Sequence, residues 1–532
     1  MLVVDAIAQA LQNRGVRYVF GMPGGATVPL MAALDRVGVE FVLVRHEGSA
    51  GFMADAIFQR TGHLGVCVST LGPGATNLIS GVAQAFTERS KVLAIVGQCE
   101  DDLRPTYTHQ IIDQAAMFSP ICHGYHRLRS YQPSRHLFNI FQSVDSIDGP
   151  VVIELSTSVS NAASEPVPII TTPSYGVPSV EQICQRLERS THPIIVVGAE
   201  CLSLETSQAI NTLARQCHIP VFTTYRGKGM IDERSDWSLG AIGLSPVVDD
   251  LQQAWINQAD VIVLIGFDMV EMRPNWLDGW GTDADVISIS QKGQPDIPHS
   301  LYIDWRGSIQ KGVETLVGNL ATDWTAKWRV EEVDAQKKTV QQIFIDTSLE
   351  GLNPAGVIKQ IQQSLPEDTV LCLDVGAHRI TASHVWKARI PRMILQSNGF
   401  SSMGVGLPMA IAVALQEPKT PVLALTGDMG LWMSLGELGI IQERGLHVIV
   451  VYLSDSALSL IELKQERSAT PKQTGVRFRN PETVSLAKAF GGRGVVCETL
   501  QSVDRALEYA KQHPGLHLIE IQINPRYYRA QM

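Results

Sequence analysis

The chain has 532 residues, 45% of them hydrophobic and 18% charged, with a formal net charge of −10 and a pI near 5.8. That length is enough for roughly three ordinary domains, and the acidic balance argues against a nucleic-acid partner, which wants a basic footprint. No apolar run reaches the ~18 residues of a membrane-spanning helix, so no membrane partner is expected. The opening MLVVDAIAQALQNRG reads as an amphipathic helix with an early acid, Asp5, and no basic lead, which is not the pattern of a secretory signal. The first α/β block, residues 1–164, carries strand candidates at Tyr18–Phe20, Phe41–Val44, Gly65–Val68, Val92–Val96 and Val151–Leu155. Helix-like segments fill the gaps, as in a doubly wound sheet. Two glycine-rich loops follow strands there: Gly21-Met22-Pro23-Gly24-Gly25, and Leu71-Gly72-Pro73-Gly74-Ala75-Thr76-Asn77. Glycine lets backbone approach a flat ligand closely. Thr76 and Asn77 also suit helix N-caps. Glu47, in Val44-Arg45-His46-Glu47-Gly48-Ser49-Ala50, follows a strand and opens a helix; alone it reads as a first-turn acid complementing the helix dipole. Gln110, in Thr108-His109-Gln110-Ile111, sits in a polar loop. Glu165 to Pro178 reads as a linker.

The second block, residues 179–325, has strand candidates at Pro193–Val197, Val221–Thr223 and Val261–Ile265. No GxGxxG follows the first of them, and nothing in this block separates flavin binding from a purely structural role. The polar stretch Ala326 to Gln342 leads to the third block, residues 351–532. There Val370–Leu373 precedes Asp374-Val375-Gly376-Ala377-His378-Arg379, and Ser397 to Pro408 opens a helix. Met403 in that stretch reads alone as core filler.

The richest stretch comes next. The apolar runs Val422–Leu425 and Val448–Leu453 flank a helix-length segment, Trp432 to Arg444. A right-handed βαβ unit brings both strand ends to one sheet edge, which is where open α/β sheets bind ligands. Asp428 and Asp455 sit just past those ends, 27 residues apart, beside Gly427, Met429 and Gly430. Either Asp alone is an ordinary turn residue. As a pair in this frame they suit Mg²⁺ carrying a diphosphate, since Mg²⁺ prefers hard oxygen donors and shares them with phosphate. A helix is also expected over Ser456 to Gln465.

Eight cysteines are scattered, none in a CxxC pair, and several lie inside apolar runs such as Val66-Cys67-Val68. Buried free thiols in a reducing, cytoplasmic compartment fit best.

The layout around Asp428 and Asp455 resembles the Gly-Asp…Asn-Asn pattern of thiamine-diphosphate enzymes, and the Asp455-Ser456 pair is similar to the catabolic, FAD-independent acetolactate synthases. The chain departs from the pattern at Met429, at Ser454-Asp455 and at Gly48-Ser49, and Ala26-Thr27 stands where the catabolic enzymes carry a lysine. Along the whole chain, the resemblance implies pyrimidine-binding, central and diphosphate-binding domains. It implies catalytic roles for Glu47, which would hydrogen-bond the pyrimidine ring, and for Gln110. The cofactor would meet Pro23, Gly24, Gly25, Glu47, Thr76, Asn77, Ala377, His378, Ser401, Met403, Gly427, Asp428, Met429, Gly430 and Asp455. Metal ligands would be Asp428, Asp455 and the Ala457 carbonyl, and Met403 would wedge the cofactor into a bent shape.

The implied cofactors are thiamine diphosphate and Mg²⁺, with FAD not expected. The implied reaction is decarboxylation of a 2-oxo acid with carboligation to a second carbonyl compound, in a homodimer at minimum and a homotetramer by resemblance. No His-His pair occurs, so the acid–base dyad of the pyruvate decarboxylase branch is missing. The alternatives left open are a decarboxylase or acyloin synthase on a bulkier substrate, a flavin-dependent oxidase, and a non-catalytic paralogue.

Overall fold

The computed structural model describes residues 1–532 apart from 101, 104–105, 170–174, 277–279, 281–282, 294–299, 347 and 469–473. Part of the expected linker, Glu165 to Pro178, therefore lies outside the described residues. Short apolar runs closed by glycine, proline or polar turns pair into three six-stranded, wholly parallel sheets. The first holds β1 (Tyr18–Gly21), β2 (Glu40–Leu43), β3 (Gly65–Ser69), β4 (Val92–Gly97), β5 (Gly124–Arg127) and β6 (Pro150–Leu155). The second holds β7 (Pro193–Val197), β8 (Val221–Thr224), β9 (Ser238–Ile242), β10 (Val261–Ile265), β11 (Asp285–Ser290) and β12 (Ile303–Arg306). The third holds β13 (Val370–Leu373), β14 (Ile394–Gln396), β15 (Val422–Gly427), β16 (Val448–Ser454), β17 (Arg493–Cys497) and β18 (Leu516–Gln522).

The first and third sheets share one strand order: β2-β1-β3-β4-β6-β5 and β14-β13-β15-β16-β18-β17. Each reverses direction between its first strand and the next long one, so their switch points lie at β1/β3 and β13/β15. The second sheet runs β12-β11-β10-β7-β8-β9 and switches between β7 and β10. Ligands of such sheets bind beyond the carboxyl ends of the strands at the switch point. The topology thus singles out the loops after β1, β3, β13 and β15.

The expected strands are present, and others join them. Of these, β5, β9, β12, β14 and β17 are edge or penultimate strands; several are only half-buried, so they lack a continuous apolar run. β11 (DVISIS) and β18 (LHLIEIQ) lie inside their sheets but interleave polar residues. The expected helix over Trp432 to Arg444 is broken into Asp428–Met433, a 3₁₀ turn Leu435–Glu437, and Leu438–Glu443. Ala326 to Gln342 is not merely a connector: Val330–Gln342 is helical, with Val333 buried in the core of the second sheet.

One core runs continuously between the first and third sheets, built around the helices Glu47–Thr61 and Gly406–Gln416. The helices Glu47–Thr61 and Pro73–Thr87 approach so closely that a Cβ on Gly51 would lie 2.5 Å from the Gly81 Cα. All eight cysteines are buried and free. No helix among the described residues is long and apolar enough to cross a membrane.

Candidate active site

At the first switch point, three loops and one carboxylate converge. A Cβ on Gly24 would run into the Thr70 side chain, so the Pro23-Gly24-Gly25 loop seats against the end of β3. A Cβ on Gly72 would run into the Gln110 carbonyl, which places Gln110 on the second glycine loop with φ +60°. Gln114 holds that arrangement: its Oε1 accepts the Gly72 N–H at 2.9 Å and its Nε2 donates to Glu154 at 2.6 Å. Glu47 begins its helix with His46 as N-cap and is buried, 5% exposed. Its Oε2 accepts from the Asn77 amide at 2.9 Å. Gly74 lies over the other oxygen; a Cβ there would stand 3.1 Å from Oε1. The N-cap reading of Thr76 and Asn77 is corrected. Pro73 starts the helix, Gly72 caps it, and the Thr76 hydroxyl donates to the Pro73 carbonyl at 2.8 Å. Proline at the first helical position explains the earlier start, because its fixed φ suits a helix and its missing N–H has no partner to lose. Pro23, Gly25, Thr76, Asn77 and Gln110 are exposed in the single chain.

At the third-sheet switch point, Asp374 is the hub. Fully buried, it accepts from the N–H groups of Val375 (2.8 Å), Gly404 (2.9 Å) and Val405 (3.1 Å) and from the Thr426 hydroxyl (2.8 Å). Burial pushes its pKa up, and those donors oppose the rise. It thereby ties the loop after β13 and the end of β15 to the stretch that carries Met403. Gly430 has no room for a side chain: a Cβ would overlap Asp374 Oδ2. Gly430→Ala is expected to lower the melting temperature by about 5 °C or more and to weaken cofactor binding in parallel, since overpacking a closed site costs ~1–3 kcal/mol. Thermal denaturation with and without cofactor checks this, and an unchanged midpoint would refute it.

Ala377 and His378 open the helix Ala377–Val385 at the same edge. His378 is 4% exposed and neutral: burial, then the Arg379 charge, push its pKa down to about 3. Its ring lies against Gly376 and Gly427. Its buried Nε2 has no hydrogen-bond partner among the described residues. A buried ring nitrogen left this way calls for a ligand oxygen or water, and the amide-lined start of a helix favours an anion beside it.

Asp428 and Asp455 do meet. Asp428 Oδ2 accepts from the N–H groups of Asp455 (3.3 Å) and Ser456 (2.8 Å) and from the Asn480 amide (3.1 Å), while Oδ1 accepts from Met429 N–H (2.9 Å). Asp455 accepts from the Ser459 hydroxyl and from the Ala457 N–H (3.1 Å). Burial, with the Asp428 charge beside it, pushes Asp455 up to about 7; burial likewise raises Asp428. Two carboxylates crowded at one edge fit a hard divalent cation, which would remove the repulsion. No group of three or more His, Cys, Asp or Glu arranged for a metal occurs among the described residues, so this pair needs backbone, water or phosphate oxygens to complete a coordination shell.

Ser401 adopts φ +55°; its hydroxyl donates to the Asn398 carbonyl (2.9 Å) and receives Arg379 Nη1 (3.3 Å). Met403 is half-buried in the same loop. The sequence reading missed Asn480, whose amide also reaches the Ser454 hydroxyl at 2.9 Å and whose Oδ1 accepts from the Trp432 indole at 2.9 Å. Its only local signal was an Asn-Pro turn. No hydrogen bond among the described residues joins Glu47 or Asn77 to Asp428 or Asp455 within one chain.

Comparison with known proteins matches these parts in order. Residues 1–117 match the N-terminal TPP binding domain of thiamine pyrophosphate enzymes, residues 180–294 their central domain, and residues 374–521 their C-terminal TPP binding domain. A probable acetolactate synthase large subunit of Methanocaldococcus jannaschii is 27% identical, with 98% of this chain and 92% of that protein covered. An acetolactate synthase of Bacillus subtilis is 25% identical over 98% and 92%. The isozyme 2 large subunit of acetolactate synthase from Escherichia coli is 26% identical over 97% and 95%. The two sheet edges described above fall within the two matched TPP binding domains, and the chain belongs to the thiamine pyrophosphate enzyme family.

Proposed function

We propose that this chain is a thiamine-diphosphate- and Mg²⁺-dependent carboligase of the acetolactate-synthase type, which decarboxylates a 2-oxo acid and joins the remaining fragment to a second carbonyl compound. The observation that carries the reading is the pair of switch-point edges. One presents a buried Glu47 beside Gly74; the other brings Asp428, Asp455 and the unpartnered His378 Nε2 together. The names of the relatives agree with it.

The cofactor, when bound, supplies a carbon nucleophile that makes loss of CO₂ from a 2-oxo acid possible. Glu47 holds a proton against the pyrimidine ring, in a position set by Asn77. Gln110, on the Gly72 loop, faces the substrate. Asp428, Asp455 and the Ala457 carbonyl hold Mg²⁺, and His378, Ala377 and the backbone of Gly427 to Gly430 take the diphosphate side. Pro23, Gly24, Gly25 and Thr76 line the pyrimidine side, with Ser401 and Met403 between the two ends.

Among the described residues no hydrogen bond joins Glu47 or Asn77 to Asp428 or Asp455 within a chain, and Pro23, Gly25, Thr76, Asn77 and Gln110 are exposed. We therefore read the working unit as a dimer at minimum, assembled further to a homotetramer, in which Glu47 of one copy serves the Asp428 edge of another. Buried free thiols fit a cytoplasmic setting. FAD is not part of the reading. At the switch point of the second sheet a Cβ on Gly198 would run into the Gly266 carbonyl, so those glycines serve backbone-to-backbone packing.

The test is turnover of pyruvate with thiamine diphosphate and Mg²⁺, scoring CO₂, acetolactate and acetaldehyde separately. Acetolactate as the main product is expected. Acetaldehyde alone would replace the carboligase reading by a decarboxylase. Retained cofactor without turnover would move the search to larger 2-oxo acids.

A further inference from the structure

Two buried carboxylates that the proposed chemistry does not use cross between the first and third sheets, and each one ends in the other's cofactor loop. Glu437 lies nine residues past Asp428, in the 3₁₀ turn that breaks the β15–β16 connection, and is 1% exposed. Both of its oxygens accept the Arg45 N–H at 3.1 Å, and Oε1 also accepts the His46 N–H at 3.1 Å. Those are the two residues immediately before Glu47. Glu88, at the end of the helix Pro73–Thr87, is also 1% exposed. Its Oε1 accepts the N–H groups of Asn398 (2.7 Å) and Gly399 (2.8 Å) and the Ser397 hydroxyl (3.2 Å), in the loop that leads to Ser401 and Met403. Arg226, from the second sheet, pairs with Glu88 at 3.1 Å.

The fit at both ends is close. A Cβ on Gly436 would stand 3.1 Å from the Arg45 Cβ, and one on Gly399 would stand 3.0 Å from the Thr87 Cβ. Around Glu437, ion pairs Arg45–Glu443 and Arg444–Glu40 flank the contact, but their side chains are partly exposed and screened by solvent. The buried carboxylate is the specific element: charge-assisted hydrogen bonds to backbone N–H groups are short-ranged and directional, and they fix a loop where an apolar contact would let it slide. A catalytic group misplaced by an ångström loses much of its effect.

We propose that Glu437 and Glu88 are reciprocal positioning residues, Glu437 setting the backbone that presents Glu47 and Glu88 setting the loop that carries Ser401 and Met403. The inference rests on the thiamine-diphosphate reading for what the loops do, and on this geometry alone for what holds them. Neither carboxylate touches the reacting atoms; each acts through the loop it holds. Glutamine has nearly the same volume as glutamate but brings an NH₂ group against backbone N–H donors, so it breaks the clamp without opening a cavity.

The experiment compares the full-length wild type with Glu437→Gln, Glu437→Asp and Glu88→Gln. Three readouts are taken: amide hydrogen exchange at 44–48 and at 397–400 without cofactor, thiamine-diphosphate affinity, and exchange of the cofactor's C2 proton in the bound state. In Glu437→Gln the amides of Arg45 and His46 should exchange about tenfold faster while those at 398–400 stay protected; Glu88→Gln should do the reverse. Glu437→Gln should slow C2-proton exchange and turnover about tenfold, with affinity changed less than about threefold. Glu437→Asp, which keeps the charge, should recover part of the loss, and it carries the test if the glutamine variant does not fold. Unchanged exchange at Arg45 and His46, or loosened amides with C2-proton exchange equal to wild type, overturns the proposal. A wild type that neither binds the cofactor nor exchanges its C2 proton sinks the functional reading instead, which separates the two failures.

Discussion

Glu47→Gln is expected to lower turnover of the accepted 2-oxo acid by about 10³-fold, within the ~10²–10⁴ range for removing a positioned acid–base group. The substitution is isosteric, and the side chain is 5% exposed with one oxygen on the Asn77 amide at 2.9 Å. A glutamine carbonyl can take the same hydrogen bond, so the helix Glu47–Thr61 and its packing against Gly81 should survive. The melting temperature should therefore stay within about 2 °C of wild type, and the affinity for Mg²⁺ should be unaffected, because the metal edge lies on the third sheet. Steady-state kinetics beside a thermal melt decides the matter. Activity within threefold of wild type would remove Glu47 from the chemistry and leave it as a helix-start acid complementing the dipole.

The second large effect concerns the metal edge. Chelation with EDTA followed by desalting should abolish turnover, and added Mg²⁺ should restore it, while Asp428→Ala should not be rescued at any practical Mg²⁺ concentration. Asp428 accepts four hydrogen bonds, from Met429, Asp455, Ser456 and Asn480. It is thus both a candidate ligand and the buttress of the loop holding Asp455. Removing it costs a hard oxygen donor and takes the shared acceptor from four partly buried donors. The expected loss in thiamine-diphosphate affinity is about 100-fold or more. Asn480→Ala, which removes one support and no ligand, should cost about tenfold. Isothermal titration with the cofactor, with and without Mg²⁺, separates these outcomes. Full activity in metal-free buffer would discard the Mg²⁺ assignment.

Much of this was legible in the chain. Strands buried on both faces, such as VIVLI over Val261–Ile265 and VIVVYLS over Val448–Ser454, announce themselves as unbroken apolar runs. Glycine loops directly after such strands locate the carboxyl edge, and the 27-residue step from Asp428 to Asp455 is the length of a βαβ crossover. The resemblance to thiamine-diphosphate enzymes, and the cofactor it implies, rested on those short motifs and their spacing.

What the chain could not reveal is everything decided by partners far apart in sequence. Asn480 joins the Asp428 edge from 52 positions away, Glu437 reaches Arg45 across 392, and Glu88 reaches Asn398 across 310. The periodicity over Trp432 to Arg444 reads as one helix, whereas the structure has a 3₁₀ turn at Leu435–Glu437 from which Glu437 reaches the backbone before Glu47. Edge strands such as Gly124–Arg127 depend on a neighbour for their hydrogen bonds and carry little pattern of their own. Local propensity and spacing therefore determined the fold class, the switch-point loops and the carboxylate pair. Only the tertiary structure decided which buried side chains hold those loops in place, because a buried hydrogen bond is chosen by three-dimensional proximity and sequence separation leaves no mark of it.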